Sequence, residues 1–300
     1  MSNQHSSYPP TGACDCHVHV IGPRSRYPLN PTRSYTPADA PLPMLVGMLE
    51  QLCLDRAVVV QPSVFGTDNA CTLDAIDALG HRGRGVAVVS PTTDGSELDA
   101  MHRRGIRGVR INIVSGGPAT LDTARTALRA TVSLCARNGW HVQLYLRPDL
   151  LVALTEDFAG LPVPVVFDHF GLLDPDRVDE TAVAAVTHLM QKGCAWTKLS
   201  GTYRISSDPF APAIAHLARR IYAVNPERTV WGSDWPHTPE HKGQAMQDDR
   251  ETPYRDMDTC RLLQDLRVWF PSDEDQRRIL VANPEQLYDF PRASGTKTGS

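Results

Sequence analysis

The sequence contains no apolar segment long enough to cross a membrane and no basic run typical of nucleic-acid binding. Its 300 residues include 30 Lys and Arg against 34 Asp and Glu, which gives a formal net charge of -4. No stretch approaches the ~20 apolar residues of a bilayer span, and residues 1–12 lack the pattern of a signal peptide. We therefore predict a cytoplasmic protein that binds neither membranes nor nucleic acids.

The chain also lacks the cysteine spacing of a disulfide framework. Its seven cysteines are odd in number, and none of them forms a CxxC pair. This usage is typical of reduced thiols in a cytosol. Cys14 and Cys16 flank Asp15, and we expect both to be ordinary small buried residues. The sequence predicts no oligomeric state.

The residues that are present form short apolar runs that alternate with helical patterns. Eight runs cover residues 13–20, 55–62, 83–91, 106–113, 139–146, 163–170, 195–201 and 228–235. Helices are predicted at residues 42–53, 68–80, 120–139 and 178–193. Apolar strands alternating with helices are typical of a parallel sheet that is covered on both faces. Eight such units predict an α/β protein, a (β/α)8 TIM barrel.

We expect one barrel domain over residues 12–291, between disordered segments at 1–11 and 292–300. Two connections, residues 20–41 and 235–255, are longer than a barrel needs. Each follows a predicted strand, so each is expected on the carboxyl-terminal face, where barrel enzymes build their sites. Long loops in a compact domain are commonly lids or binding loops.

Histidines and a carboxylate stand at the ends of three predicted strands. His17 and His19 are two residues apart on the first strand, so both side chains point to the same face. His169 follows Asp168 at the end of the sixth run, and Asp234 ends the eighth. These strand ends surround one space in a barrel, and such a group is hard to explain by packing. We predict that His17, His19, His169 and Asp234 form a catalytic cluster.

Four motifs carry a resemblance to a known family. They are "DCHVH" at 15–19, "VVFDHFG" at 165–171, "VWGSDWPH" at 230–237 and "ANPEQLYDF" at 282–290. In this order they resemble the amidohydrolase superfamily, and more narrowly the branch that contains 2-pyrone-4,6-dicarboxylate lactonase, sulfomuconolactone hydrolase and galactarolactone isomerase. The resemblance extends from about residue 12 to about residue 291. It implies an amidohydrolase-type barrel that hydrolyses or rearranges esters, lactones or amides.

The resemblance also bears on the cofactor. Metal-dependent members of the superfamily place a Lys or Glu at the end of the fourth strand and a His at the end of the fifth. Here those runs end "VRINIV" and "VQLYLR", with Gln143 and Tyr145 near the expected histidine. A binuclear site is therefore not expected. A single Zn²⁺ on His17, His19, His169 and Asp234 is chemically feasible, but the metal-free lactonase favours no metal.

The resemblance implies a role for each member of the cluster. Asp234 is the candidate general base for water, and the three histidines polarise the carbonyl of the substrate. The alternative for Asp234 is a helix N-cap. His237 is a candidate supporting residue.

An anionic substrate is expected, because Arg110 and Arg204 occupy predicted positions at the barrel mouth. Arginine matches a carboxylate with two parallel hydrogen bonds. The alternative for each arginine is a salt bridge to a neighbouring carboxylate. Hydrogen-bonding neighbours of the substrate are predicted to be Tyr145, Ser63, Asn112 and Asn69.

The segment Ser115–Gly117 supplies no basic residue, whereas dicarboxylate-binding relatives often carry one there. A monocarboxylate or sugar-acid lactone therefore fits as well as a dicarboxylate. The leading hypothesis is a hydrolase of a small anionic lactone in aromatic or sugar-acid catabolism. The alternatives are a lactone isomerase, a mononuclear zinc-dependent lactone or amide hydrolase, a zinc decarboxylase, and a non-catalytic binding protein.

Overall fold

Eight parallel strands form the centre of the molecule in a computed structural model that describes residues 8–114, 120–239 and 250–292. In spatial order they are β1 (Cys14–Val18), β3 (Arg56–Val60), β4 (Gly83–Ala87), β5 (Ile106–Asn112), β6 (His141–Tyr145), β7 (Val165–Phe167), β8 (Ala195–Ser200) and β9 (Thr229–Gly232). The first and last of these meet, because the Asp234 amide donates to the His17 carbonyl (2.9 Å) and the His19 amide to the Trp235 carbonyl (2.8 Å). The (β/α)8 TIM barrel is confirmed.

Helices follow the strands and pack around them. They are α1 (Leu42–Gln51), α2 (Ala70–Leu79), α3 (Gly95–Arg103), α4 (Leu121–Ala136), α5 (Pro148–Ala153), α6 (Thr155–Ala159), α7 (Glu180–Gln191), α8 (Pro212–Val224), α9 (Thr259–Trp269), α10 (Asp273–Arg277) and α11 (Asn283–Tyr288). Side chains such as Thr120 and Asp179 accept hydrogen bonds from the first turns of α4 and α7 and so fix where these helices begin. Among the described residues, no helix has both the length and the apolar content to span a membrane.

The core has two layers. Valines of β3, β4, β7 and β9 fill the inside of the barrel together with Cys14 and Cys16, which are free thiols buried as expected. A larger apolar cluster lies between the outer face of the sheet and the helices. Because strands buried on both faces need apolar residues at nearly every position, polar side chains that point into the barrel stand out.

The two long connections meet on the carboxyl-terminal side of the barrel. Two short strands, β2 (Thr36–Pro37) and β10 (Glu251–Thr252), pair in parallel. Arg24 strengthens this junction, because one of its terminal nitrogens lies 2.9 Å from Glu251 Oε1 and also donates to the Pro37 carbonyl. The predicted loops are therefore joined to each other beside the strand ends.

Residues 8–11, which the sequence assigns to a disordered segment, lie against the barrel. Pro9 and Pro10 are buried, and the Tyr8 hydroxyl donates to the Leu263 carbonyl at 2.6 Å. The ring of Tyr8 packs on the apolar core, which supplies the reason for this order. Residues 1–7, the tail from 293 onward and Ser115–Gly117 lie outside the described residues.

Candidate active site

The structure brings the four predicted cluster residues together at the carboxyl-terminal end of the barrel. Asp234 Oδ1 lies 3.6 Å from His17 Nε2 and 3.5 Å from His19 Nε2. Asp234 Oδ2 lies 4.0 Å from His169 Nε2, and the rings of His17 and His169 are 4.8 Å apart between centroids. All four side chains are buried. The group therefore surrounds one small volume, as the strand-end positions predict.

A left-handed backbone conformation orients two of these side chains. His169 has φ of 49° and Asp234 has φ of 64°, in the left-handed region that side-chain-bearing residues rarely adopt. Such strain persists where the surrounding structure fixes it, and it is common at functional sites. Residues 235–239 are not helical, so Asp234 is not the N-cap of a helix that starts there.

The two oxygens of Asp234 have different surroundings. Oδ2 accepts from the Tyr203 hydroxyl at 2.7 Å and from Arg204 Nε at 2.6 Å, whereas Oδ1 has no hydrogen-bond partner among the described residues. Burial raises the pKa of Asp234, but the positive charge of Arg204, together with interactions with the neighbouring histidines, outweighs it and holds this pKa well below its usual range. Asp234 is thus an ionised carboxylate with one oxygen open to the cluster.

The three histidines have different partners. His19 Nδ1 lies 2.8 Å from the Val60 carbonyl and can only donate there, so Nε2 of neutral His19 is an acceptor. His169 Nδ1 lies 2.9 Å from Ser200 Oγ, which can donate or accept. Burial lowers the pKa of His169 to about 3, and burial with the nearby Lys198 charge lowers the pKa of His17 well below its ordinary value. Both rings are therefore neutral near pH 7.

Lys198 and Asp168 lie directly behind His17, and the sequence interpretation missed the lysine. The Lys198 ammonium donates to Gln143 Oε1 at 2.7 Å and to the Cys16 carbonyl at 2.9 Å, and lies 3.4 Å from His17 Nδ1. Asp168 Oδ2 accepts from Gln143 Nε2 at 3.1 Å. The sequence did contain a signal for Lys198, since this lysine lies inside the apolar run "AWTKLS". A lysine that is fully buried in a strand needs hydrogen-bonding or charged partners.

Tyr203 is the second residue that the sequence interpretation missed. Besides its bond to Asp234, its hydroxyl lies 3.4 Å from His237 Nδ1, and His237 Nε2 lies 2.8 Å from Thr259 Oγ1. His237 therefore supports Tyr203 and not the cluster itself. The signal was the position of Tyr203 in "SGTYR", directly before an arginine that had been singled out.

The predicted substrate-binding residues line two cavities beside the cluster. Arg204 and Tyr145 line a cavity of about 760 Å³. Ser63, Arg110 and Asn112 line a second one of about 320 Å³. Asn69 is not part of this group, because its side-chain amide is bonded to the backbone of Thr67 and Val88.

Both arginines form the salt bridges that were the alternative to substrate binding. Arg110 Nε lies 2.9 Å from Asp168 Oδ2, and Arg204 Nε lies 2.6 Å from Asp234 Oδ2. Each ion pair uses the inner nitrogen of the guanidinium, and both residues still form part of a cavity wall.

The cluster has the composition to hold one metal ion. His17 Nε2, His19 Nε2 and Asp234 Oδ1 lie within 4.8 Å of one another, and His17 Nε2 and Asp234 Oδ1 have no hydrogen-bond partner among the described residues. Nitrogen and carboxylate ligands of this kind suit zinc. The other candidate group joins His17 and His169 with Asp168. A second cation there would meet the Lys198 ammonium, 3.7 Å from Asp168 Oδ1, so the residues fit one ion and not two.

Known proteins match the chain over nearly its whole length. The family model described as amidohydrolase matches residues 14–290. The chain is 35% identical over 282 residues to 4-sulfomuconolactone hydrolase of Hydrogenophaga intermedia, with 93% of this chain and 89% of the relative covered. Identity to 2-pyrone-4,6-dicarboxylate hydrolase of Comamonas testosteroni is 36% over 292 residues, with 93% and 90% covered. Identity to D-galactarolactone isomerase of Agrobacterium fabrum is 30% over 292 residues, with 96% and 94% covered.

Solved structures agree with these sequence matches. A Pseudomonas putida protein assigned as a 2-pyrone-4,6-dicarboxylic acid hydrolase superposes with a TM-score of 0.79 at 27% identity, covering 94% of this chain and 99% of that one. An Acinetobacter baumannii protein with the same assignment and bound citric acid gives a TM-score of 0.73 at 29% identity, covering 93% and 100%. The similarity thus extends over the whole barrel.

Proposed function

The chain belongs to the amidohydrolase family, and from that premise we propose that it is a hydrolase that opens a small carboxylated lactone. The observation that carries this proposal is the Asp234 carboxylate, whose Oδ1 faces His17 and His19 while Tyr203 and Arg204 hold its other oxygen. The names of the relatives support the same class of substrate, since two are lactone hydrolases.

In the proposed reaction Asp234 Oδ1 takes a proton from a water molecule whose oxygen attacks the lactone carbonyl. The carbon–oxygen bond of the ring then breaks, and the proton passes to the ring oxygen that leaves. Histidine N–H groups stabilise the negative charge that develops on the carbonyl oxygen, an effect worth about 2.7–4 kcal/mol for one well-placed donor. His17 and His169 are suited to this as neutral donors, whereas His19 donates from Nε2 only as an imidazolium.

The two cavities account for an anionic substrate. Arg204 borders the larger cavity and pairs with Asp234 of the cluster, and Arg110 borders the smaller one, so we place the anionic groups of the lactone beside these guanidinium groups. Arginine near a developing or permanent carboxylate gives both orientation and charge stabilisation. The roles of Tyr145, Ser63 and Asn112 as hydrogen-bonding neighbours belong to the same proposal, because each lines one of these cavities.

We favour a mechanism without a metal. If one Zn²⁺ is bound, His17, His19 and Asp234 would hold it and His169 would stay outside, unlike the four-residue set expected from the sequence. The ion would then polarise the lactone carbonyl as a Lewis acid.

A lactone isomerase is the second candidate, favoured by the 30% identity to D-galactarolactone isomerase over 96% of the chain. The test is to incubate the purified protein with 2-pyrone-4,6-dicarboxylate, 4-sulfomuconolactone and D-galactarolactone in ¹⁸O-labelled water. Hydrolysis releases an acid with one label from water, whereas isomerisation returns an unlabelled lactone of the same mass. No reaction with any lactone would contradict both candidates.

A further inference from the structure

The hydrogen-bonding surroundings of His17 pose a question that the proposed mechanism leaves open, namely which ring nitrogen carries the proton. Two groups behind the ring compete for Nδ1. Asp168 Oδ1 lies 3.3 Å away and Lys198 Nζ lies 3.4 Å away. A carboxylate would require the proton on Nδ1, whereas a lysine would require the lone pair there.

The geometry favours the lysine. Asp168 Oδ1 lies 3.3 Å from Nδ1 but has no hydrogen-bond partner among the described residues. Lys198 Nζ does meet the hydrogen-bond geometry toward Nδ1. An ammonium group has three hydrogens to donate and no lone pair, and its other two acceptors are the Cys16 carbonyl and Gln143 Oε1.

Gln143 holds this arrangement in place. Its side-chain oxygen accepts from Lys198 and its nitrogen donates to Asp168 Oδ2, so one amide links the two groups that compete for His17. Arg110 Nε also donates to Asp168 Oδ2 at 2.9 Å, which draws that carboxylate toward the arginine. All of these side chains are buried, so solvent does not rearrange them.

We propose that Lys198 is a positioning residue that keeps the lone pair of His17 on Nδ1 and its proton on Nε2, the nitrogen that faces Asp234 and the substrate. This inference rests on the proposed function and adds a role for Lys198 to it. A His17 with the proton on Nε2 is a hydrogen-bond donor to the carbonyl oxygen. It is not a ligand for zinc, because a ligating nitrogen needs its lone pair. The lysine thereby disfavours zinc binding at His17 and favours the metal-free chemistry.

The test is ¹⁵N NMR of protein labelled at histidine nitrogens, with the His17 signals assigned by their loss in His17→Gln. In the natural protein we expect a proton on Nε2 alone. In Lys198→Met we expect the proton to move to Nδ1, because the Asp168 carboxylate is then the only charged group left beside that nitrogen among the described residues. Lys192→Met, at an exposed lysine, is the matched control and should leave the spectrum unchanged.

Turnover and metal affinity give two further readouts. With the proton moved, kcat in Lys198→Met should fall by about 10²-fold, the effect of one lost oxyanion donor, while KM changes little. Zinc affinity, measured by competition with a chromogenic chelator, should rise by about tenfold or more because Nε2 becomes available.

A proton on Nδ1 or on both nitrogens in the natural protein would overturn the inference, even if Lys198→Met fails to fold. An unchanged tautomer in a folded Lys198→Met protein would overturn it as well, as would an unchanged kcat when the proton has moved. The NMR result needs no substrate, so a protein that opens no lactone would contradict the proposed function without affecting this test.

Discussion

At the scale of single residues, the proposed catalysis depends on the unequal environments of the two Asp234 oxygens. One is held by Tyr203 and Arg204, and the other faces the histidines without a hydrogen-bond partner among the described residues. A carboxylate fixed in this way keeps one lone pair directed at the reacting volume. It also keeps its charge, because the neighbouring Arg204 guanidinium outweighs the effect of burial on the pKa of Asp234.

Replacing Asp234 by Asn tests the role of the charge. The amide is close in size but does not accept a proton from water, so we expect kcat to fall by about 10²–10⁴-fold with a folded protein and a similar KM. Steady-state kinetics with the best lactone substrate measures this. Asp149→Asn, at a surface aspartate paired with Arg147, is the control and should keep full activity. A kcat within threefold or so of the natural enzyme in Asp234→Asn would contradict the assignment of the base.

The cluster residues could be predicted from the sequence, whereas their supports could not. His17, His19 and Asp234 stand at the ends of apolar runs, and the ends of parallel strands in a barrel meet at one face. Lys198 and Gln143 are 55 residues apart, and their contact depends on the inward direction of both side chains at adjacent heights. No local pattern encodes such a pairing, so it required the structure.

At the scale of elements, the turn after β8 positions His169. Gly201 has φ of 57°, and a Cβ atom at this position would lie 2.6 Å from His169 Nδ1. Only glycine accommodates both the left-handed backbone and the close approach of the ring. Gly201, after the end of β8, thus contacts the Nδ1 edge of the imidazole, while Nε2 faces Asp234.

Gly201→Ala should therefore displace His169. We expect a loss of about 1 kcal/mol in the free energy of unfolding from the left-handed backbone, and a fall in kcat of about tenfold or more from the moved ring. Gly139→Ala is the matched control, since Gly139 has φ of 64° and nothing within 4 Å of the added Cβ atom. Urea unfolding and kinetics of both variants separate the two effects. Equal kcat losses in the two variants would argue against a positioning role for Gly201.

Element boundaries show where the apolar pattern misleads. The run at 163–170 predicts a strand of that length, but β7 ends at Phe167. Beyond it His169 and Phe170 adopt positive φ and turn the chain so that the imidazole enters the site. Asp168, His169 and Phe170 follow the strand and are still buried, because they form part of the site. The buried segment is therefore longer than the strand, and the sequence pattern alone does not show where the strand ends.

At the scale of the whole molecule, several neutral histidines are buried in the barrel. Burial lowers the pKa of His141 to about 3 and that of His237 to about 4, as it does for His169. In the unfolded chain these histidines bind protons below about pH 6.5, whereas in the folded protein they stay neutral to a much lower pH. The unfolded state therefore gains protons first as the pH falls, and the free energy of unfolding decreases.

From pH 7 to pH 5, each such histidine should reduce the free energy of unfolding by about 2 kcal/mol. Urea unfolding of His141→Gln at both pH values tests one of them, because His141 lies at the start of β6 on the far side of the barrel from the reacting atoms. The variant should lose about 2 kcal/mol less than the natural protein over this interval. His216→Gln, at an exposed histidine, should behave like the natural protein. An identical pH response in His141→Gln would contradict the burial effect.

The barrel as a whole could be predicted, because few other folds contain eight apolar strands that alternate with helices. The junction of β2 with β10 could not, since each strand has only two residues and lies in a loop rich in proline and polar residues. Its register comes from contacts between distant segments, such as the hydrogen bond from the Tyr254 hydroxyl to the Ala38 carbonyl.

In the proposed mechanism the histidines and Asp234 open a lactone without a bound metal. The most direct test is turnover by protein that has been dialysed against a chelator, with its metal content measured by elemental analysis on the same sample. We expect full activity in a sample that holds no stoichiometric metal. Activity that disappears with the metal and returns on addition of zinc would contradict it and would make His17, His19 and Asp234 ligands.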